Sequence, residues 1–152
     1  MMSYCMLAGR CRFCGVKIKT FYILSEVVLS GFAVICCLCI QEESFKVYMF
    51  GVLTYVLGVI DWQFKQLPVS LTIGLILSGI AYHICIGTIE FACKGAFISA
   101  IVLWMIRYLA NRYYKQEAIG LGDVFLLSGI GAYWGGNTAM VSFQWACIVG
   151  GV

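Results

Sequence analysis

The sequence predicts an all-α polytopic membrane protein, a bundle of about six transmembrane or partial transmembrane helices, and three observations predict it. Of 152 residues, 62% are hydrophobic and only 11% charged, against about 25% charged in an ordinary soluble domain. Mean hydropathy is +0.96. The few charges stand far enough apart for the runs between them to approach the ~20 residues that cross a bilayer core. So few charges cannot cover a globular surface, which excludes a soluble enzyme and a disordered chain. Ten Lys and Arg against seven Asp and Glu leave a net charge of +3. That is too weak and scattered for a nucleic-acid footprint, so the expected partner is the bilayer.

Each span follows from the gaps between charges. Glu26 and Glu42 bracket 15 uncharged residues, which extended back to Phe21 make a first span of about 20. Between Lys46 and Asp61 lie 14 more, enough if the helix runs on toward Phe64. The 24 residues from Gln66 to Ile89 carry no acidic or basic group except His83. Their helical part is read as Leu71–Ile89, because proline fits best just before a helix start. Phe91–Leu109 makes a fourth span, with Lys94 and Arg107 near its ends, where long side chains snorkel to the headgroups. The last 29 residues, from Val124, are uncharged. Two full spans need roughly 40 residues, so Gly135-Gly136-Asn137 is expected to divide this run into a short helix and another that stops at Val152.

Charge sets the orientation. With the N-terminus inside, the inner face holds Arg10, Arg12, Lys17, Lys19, Lys65, Arg107, Arg112 and Lys115, eight of the ten basic residues. Only Lys46 and Lys94 fall outside, each beside acidic residues, and the positive-inside rule chooses this topology. Those early basic residues also occupy the place of a signal peptide's apolar region, so none is read there. Of nine cysteines, most lie in or beside apolar runs and behave as small hydrophobes. His83 has no partner at helical spacing and reads as a buried structural histidine. Gly51, Gly58, Gly74, Gly79 and Gly95 suit close helix packing in lipid.

The chain has two aspartates, Asp61 ending the second span and Asp123 beginning the fifth, both on the inner face. An ionisable residue at a span end is a functional-site hypothesis by default. Two carboxylates brought together cannot both ionise readily, and a pair sharing one proton can act on one water as base and acid. The plainer reading of Asp123 alone is a helix N-cap. Glycines precede it in Gly120-Leu121-Gly122-Asp123, where they leave room for a peptide backbone and permit backbone angles closed to other residues.

Asp61 stands six residues before Leu67-Pro68, followed by Leu71-Thr72 and a span. That stretch resembles the first signature of the type IV prepilin peptidases. Glu117-Ala118-Ile119-Gly120-Leu121-Gly122-Asp123, continued by Leu126-Leu127, Gly131-Ala132 and Gly135, resembles their second. Gly9-Arg10-Cys11-Arg12-Phe13-Cys14-Gly15, then Ile18, Tyr22, Glu26 and Gly31, is similar to the second half of their cytoplasmic zinc-binding segment and the helix after it. The resemblance implies a GxGD aspartic membrane peptidase that removes the leader of type IV prepilins or type II secretion pseudopilins at the cytoplasmic face of the bacterial inner membrane. It implies Asp61 and Asp123 as the catalytic pair and no cofactor for proteolysis; the substrate-positioning residues are read as Gly120 and Gly122, giving an extended substrate room, and Pro68, shaping the loop behind Asp61. It further implies zinc at Cys11 and Cys14, half of a four-ligand site, and S-adenosylmethionine only where methyl transfer is retained. Residues 1–20 read as a remnant of the zinc segment and 21–152 as a peptidase domain with an incomplete C-terminal end, a truncated or compact member.

Two residues depart from the family pattern: Val69 where an acidic residue usually follows Leu-Pro, and Phe125 where Lys usually stands two positions after the aspartate. The rival readings are a non-catalytic membrane subunit, a small ion- or proton-coupled transporter, and a degenerate member that does not cleave. A presenilin-type protease is set aside, because Ile60 precedes Asp61 and no proline follows Pro68.

Overall fold

The computed structural model describes residues 17, 20–39, 43–65, 67–115 and 119–150. Among them are six helices and no strand: α1 Thr20–Cys39, α2 Ser44–Phe64, α3 Val69–Ile86, α4 Ile89–Tyr114, α5 Leu121–Trp134 and α6 Gly136–Gly150. The first four are long and apolar enough to cross a membrane. The 14 residues of α5 rise about 21 Å, short of the ~30 Å hydrocarbon core. The chain is a multi-pass membrane protein. Large apolar side chains such as Leu77, Phe97, Trp104 and Leu109 are exposed, as expected of surfaces that lipid covers. Hydroxyls within the helices return to their own backbone: Ser25 donates to the Tyr22 carbonyl at 2.8 Å, Thr54 to Phe50 at 2.8 Å and Ser142 to Thr138 at 2.8 Å. In hydrocarbon no water would satisfy them.

Glycine and proline set the helix ends more tightly than charge spacing does. Pro68, with φ −69° and ψ 118°, is the N-cap of α3, and its carbonyl accepts from Leu71 and Thr72 at 3.1 and 3.3 Å. The helix therefore starts at Val69. The uncharged run by itself would carry α3 to Ile89, yet the helix stops at Ile86. Gly87 takes a left-handed φ of 79°. Its N–H and that of Thr88 reach back to the carbonyls of Ile84 and His83 at 3.1 and 2.9 Å, closing the end as glycine caps do. Gly135, with φ 86° and ψ 161°, a conformation nearly confined to glycine, separates α5 from α6 where the division was expected.

The chain divides into two compact units, Met1–Tyr48 and Met49–Val152. In the first, Phe32 stacks on Tyr48 at 6.3 Å between centroids, Cys36 is buried, and Lys46 Nζ pairs with Glu43 Oε2 at 3.3 Å. Glu26 is exposed on α1.

In the second unit α5 is the central element, packed on α3, α4 and α6. Its approach to α4 is made by small residues. A Cβ added to Gly95 would collide with the Gly131 carbonyl oxygen, and one added to Gly131 with Ser99 Oγ and the Gly95 carbonyl oxygen. Ser128 crosses this seam to donate to the Ala96 carbonyl at 3.1 Å. Close backbone approach of this kind is how membrane helices gain packing without a hydrophobic driving force. On α3, Gly79 receives the Tyr133 ring, which an added Cβ would meet at 2.8 Å. The Tyr133 hydroxyl donates to Ser78 Oγ at 2.9 Å. Gly58 and Gly74 differ from this pattern, because an added Cβ at either would meet nothing within 4 Å. Among the described residues, neither glycine holds a neighbouring helix in close approach.

His83 is buried and has partners that helical spacing does not reveal. Its Nδ1 lies 2.8 Å from Thr88 Oγ1 across the Gly87 turn, and its Nε2 lies 3.4 Å from the Tyr133 carbonyl oxygen. A neutral ring protonated at Nε2 satisfies both, donating to the carbonyl and accepting from the hydroxyl. This is a structural histidine joining the α3–α4 turn to the end of α5.

Candidate active site

Asp61 lies in the last turn of α2. Its carbonyl accepts the Lys65 N–H at 2.8 Å, and Lys65 leaves the helix in a left-handed conformation with φ 53°. A cation at this end suits the negative pole of the helix dipole. Lys65 Nζ sits 5.3 Å from the centroid of the Trp62 ring, within cation–π range.

Asp123 lies in the first turn of α5. The N-cap reading is not what the structure shows: the cap is Gly120, without a side-chain hydrogen bond, and α5 begins at Leu121. Asp123 thus sits inside the helix, where the dipole favours a carboxylate. Gly120 has φ −68° and ψ 152°, angles open to any residue, so it is not required by backbone conformation. It is exposed, and an added Cβ would stand 3.4 Å from Asp123 Oδ2. Gly122 is different, because it is buried. A Cβ there would fall 2.6 Å from Leu67 Cβ and 3.1 Å from the Leu67 carbonyl oxygen. The missing side chain lets the Leu67-Pro68 segment press against the start of α5, bringing the chain that follows Asp61 up to Asp123.

These approaches create a cleft of about 450 Å³ whose walls include Asp61 and Asp123 together with Lys65, Leu67, Val69 and Gly120. Both aspartates are exposed. Pro68 is half-buried and acts from behind as the cap of α3. Of the two departures from the family pattern, Val69 is on the cleft wall, whereas Phe125 is half-buried in α5 and is not one of the lining residues. Lys65 is the group that sequence reasoning passed over, having counted it only toward the inner-face charge. Its position four residues after Asp61, one helical turn on, was the available signal. Asp123 also borders a second, apolar cavity of about 360 Å³ between α4, α5 and α6.

Cys11, Cys14 and Glu117 lie outside the described residues. Among the described residues no group of three or more His, Cys, Asp and Glu is placed to hold a metal ion. Among the described residues lining the cleft, the charged groups are two carboxylates and one ammonium group.

Residues 47–152 match the type IV leader peptidase family, a stretch that contains both aspartates and both cavities. The chain is 32% identical over 138 residues to a prepilin leader peptidase/N-methyltransferase of Myxococcus xanthus, covering 88% of this chain and 41% of the relative. It is 31% identical over 139 residues to a protein of the same name from Burkholderia pseudomallei, covering 89% and 45%. It is 30% identical over 142 residues to a type 4 prepilin-like proteins leader peptide-processing enzyme of Escherichia coli, covering 89% and 52%. The chain thus spans about half the length of these curated relatives. No solved structure matches it.

Proposed function

The chain belongs to the type IV leader peptidase family, and from that premise we propose that it is an aspartic endopeptidase cleaving the leader from type IV prepilins or type II secretion pseudopilins. The observation that carries the proposal is the single cleft bordered by both Asp61 and Asp123. In this reading one carboxylate serves as general base and the other as general acid. The ionised carboxylate takes a proton from water as it attacks the scissile carbonyl, and the protonated one gives its proton to the departing side. Gly120, with no side chain at the cleft, leaves space for an extended substrate backbone, and Gly122 and Pro68 hold the Leu67 segment that closes the wall.

The membrane is the bacterial inner membrane and the cleft faces the cytoplasm. Two features support this orientation. The charge-based topology assigns eight of ten basic residues to the inner side, with Lys65 among them bordering the cleft. The two left for the outer side are each paired with a nearby glutamate, Lys46 with Glu43 at 3.3 Å and Lys94 with Glu90 at 2.8 Å. The substrate's apolar helix would approach laterally through the bilayer. Zinc and S-adenosylmethionine are assigned no step.

The test is co-expression with a prepilin bearing a Gly-Phe junction. Wild type is expected to process it, and Asp61→Asn and Asp123→Asn each to lower the rate by at least ~10²-fold, the lower bound for loss of a general acid or base. Processing that survives either substitution would end the assignment.

A further inference from the structure

We propose that the outward face of α4, toward its C-terminal end, is a binding site for one anionic phospholipid. Arg112 and Lys115 hold the phosphate, and an acyl chain lies along Trp104, Ile101 and Phe97. None of these residues lines the cleft that holds Asp61 and Asp123, and the site fills without any catalytic step.

At about 100° per residue, Phe97, Ile101, Trp104, Tyr108 and Arg112 fall on one face of α4, within an arc of about 80°. Lys115 follows as the C-cap, and all six residues are exposed. The helix packs inward through the opposite side, where Gly95, Ser99 and Leu103 are buried. The outward face is graded along its length. It is apolar at Phe97 and Ile101, aromatic at Trp104 and Tyr108, and cationic at Arg112 and Lys115. A phospholipid presents chain, interface and phosphate in the same order, and Trp and Tyr favour the interface. The 26 residues of α4 rise about 39 Å, past the ~30 Å hydrocarbon core, so its last turn reaches the headgroups.

Two observations point to an anionic headgroup. The first is that the aromatic residues hold the cation in place. The rings of Trp104 and Tyr108 stack with centroids 6.2 Å apart and planes 17° apart, and Arg112 Nη1 donates to Tyr108 Oη at 3.4 Å. The guanidinium keeps further N–H donors, in a fork that matches phosphate oxygens. The second is that the two ends of α4 differ in pairing. Lys94 meets Glu90 at 2.8 Å. Among the described residues neither Arg112 nor Lys115 meets a carboxylate, and α4 has no acidic residue after Glu90. The helix dipole offsets only about half a unit of charge, against two cations. The positive-inside rule accounts for cations at this end, but not for their place below an aromatic stack on the outward face.

The experiment uses the full chain in vesicles of equal parts phosphatidylglycerol and phosphatidylcholine, with the acyl chains of one or the other brominated to quench tryptophan. Each protein is read with and without Trp104→Phe, and the difference is the signal of Trp104. Wild type should favour phosphatidylglycerol there by about fivefold or more, since each cation near an anionic surface contributes about fivefold. Salt at about 1 M, where the Debye length is about 3 Å, should reduce the preference at least twofold. Arg112→Gln combined with Lys115→Gln should abolish it, Arg112→Lys should keep most of it, and Lys46→Gln should leave it unchanged. The preference is a ratio within one protein and does not depend on how much folds; if the double variant fails to accumulate, the salt series on wild type decides. Equal quenching by the two lipids in wild type, or a preference that survives loss of both cations, overturns the site. So does a Trp104 that neither lipid quenches, because another protein surface then covers the face.

Discussion

The two helices that carry the aspartates are held in different ways. At α5 glycines bring other segments close, Gly131 against Gly95 of α4 and Gly122 against Leu67, beside a side-chain core that includes Val124, Leu127 and Tyr133. At α2 the contacts are between large side chains. Leu57 is buried with Leu75 and Tyr133, and Phe50 meets the rings of Tyr133 and Trp134 at 5.3 and 6.0 Å. Beyond Leu57, Val59 and Ile60 are half-buried, and Asp61, Trp62, Gln63 and Phe64 are all exposed. Backbones in contact have no rotamers with which to absorb a displacement, whereas packed side chains can shift and repack. From this contrast we expect Asp123 to be the better-fixed carboxylate, with Asp61 on a lever one helical turn past Leu57, the last buried residue of α2.

Breaking the better-fixed side should have the largest effect. Gly131→Leu must force α4 and α5 apart, with backbone on both sides of the clash. A loss at or above the top of the roughly 1–3 kcal/mol typical of overpacking is expected, read as failure to accumulate folded protein in detergent. Leu57→Ala tests the lever. It should cost about 2–4 kcal/mol by leaving a cavity under α2, measured by thermal unfolding, and should slow cleavage in the fraction that remains folded. If cleavage per folded molecule is unchanged, α2 does not position Asp61 through that anchor. Gly122→Ala separates position from stability. It pushes Leu67 away from Asp123, and a displacement approaching 1 Å can cost ~10²-fold in rate, with only a modest change in unfolding temperature. Tyr133→Phe should be the mildest, removing the hydroxyl bond to Ser78 for about 0.6 kcal/mol, the mean for hydrogen bonds between membrane helices.

The same contrast explains which parts of the molecule were legible in the sequence. Four spans, the division at Gly135 and the placing of both aspartates at helix ends follow from charge spacing and glycine, which act locally. The end of α3 was misread by three residues because the uncharged run conceals the cap at Gly87, although that glycine was visible. Pairwise matters were not legible. Gly58 and Gly74 look like Gly79 and Gly95 in the sequence, and only their surroundings show that, among the described residues, neither of the first two holds a neighbouring helix close. His83 finds its partners through a turn and from a helix 50 residues away. The apolar cavity could not be anticipated, since α6 supplies part of its wall and no periodicity says which helices it joins. At the cleft, the aspartates were evident from their rarity, while the function of Gly122 emerged only when Leu67 was found against it.

The two-residue turn at Gly87-Thr88 bears on how the protein enters its membrane. With so short a connection α3 and α4 must insert together, as a helical hairpin whose tip crosses the bilayer in the proposed orientation. Carrying a charge through hydrocarbon is costly, and the charged groups nearest this tip are Glu90 and Lys94, joined at 2.8 Å. Their sum is zero. The pair adds little to stability at an exposed position, but in the proposed orientation it would let the leading end of the hairpin pass as a nearly neutral unit. In the proposed orientation the basic groups at the far end of α4, Arg112 and Lys115, would stay on the inner side.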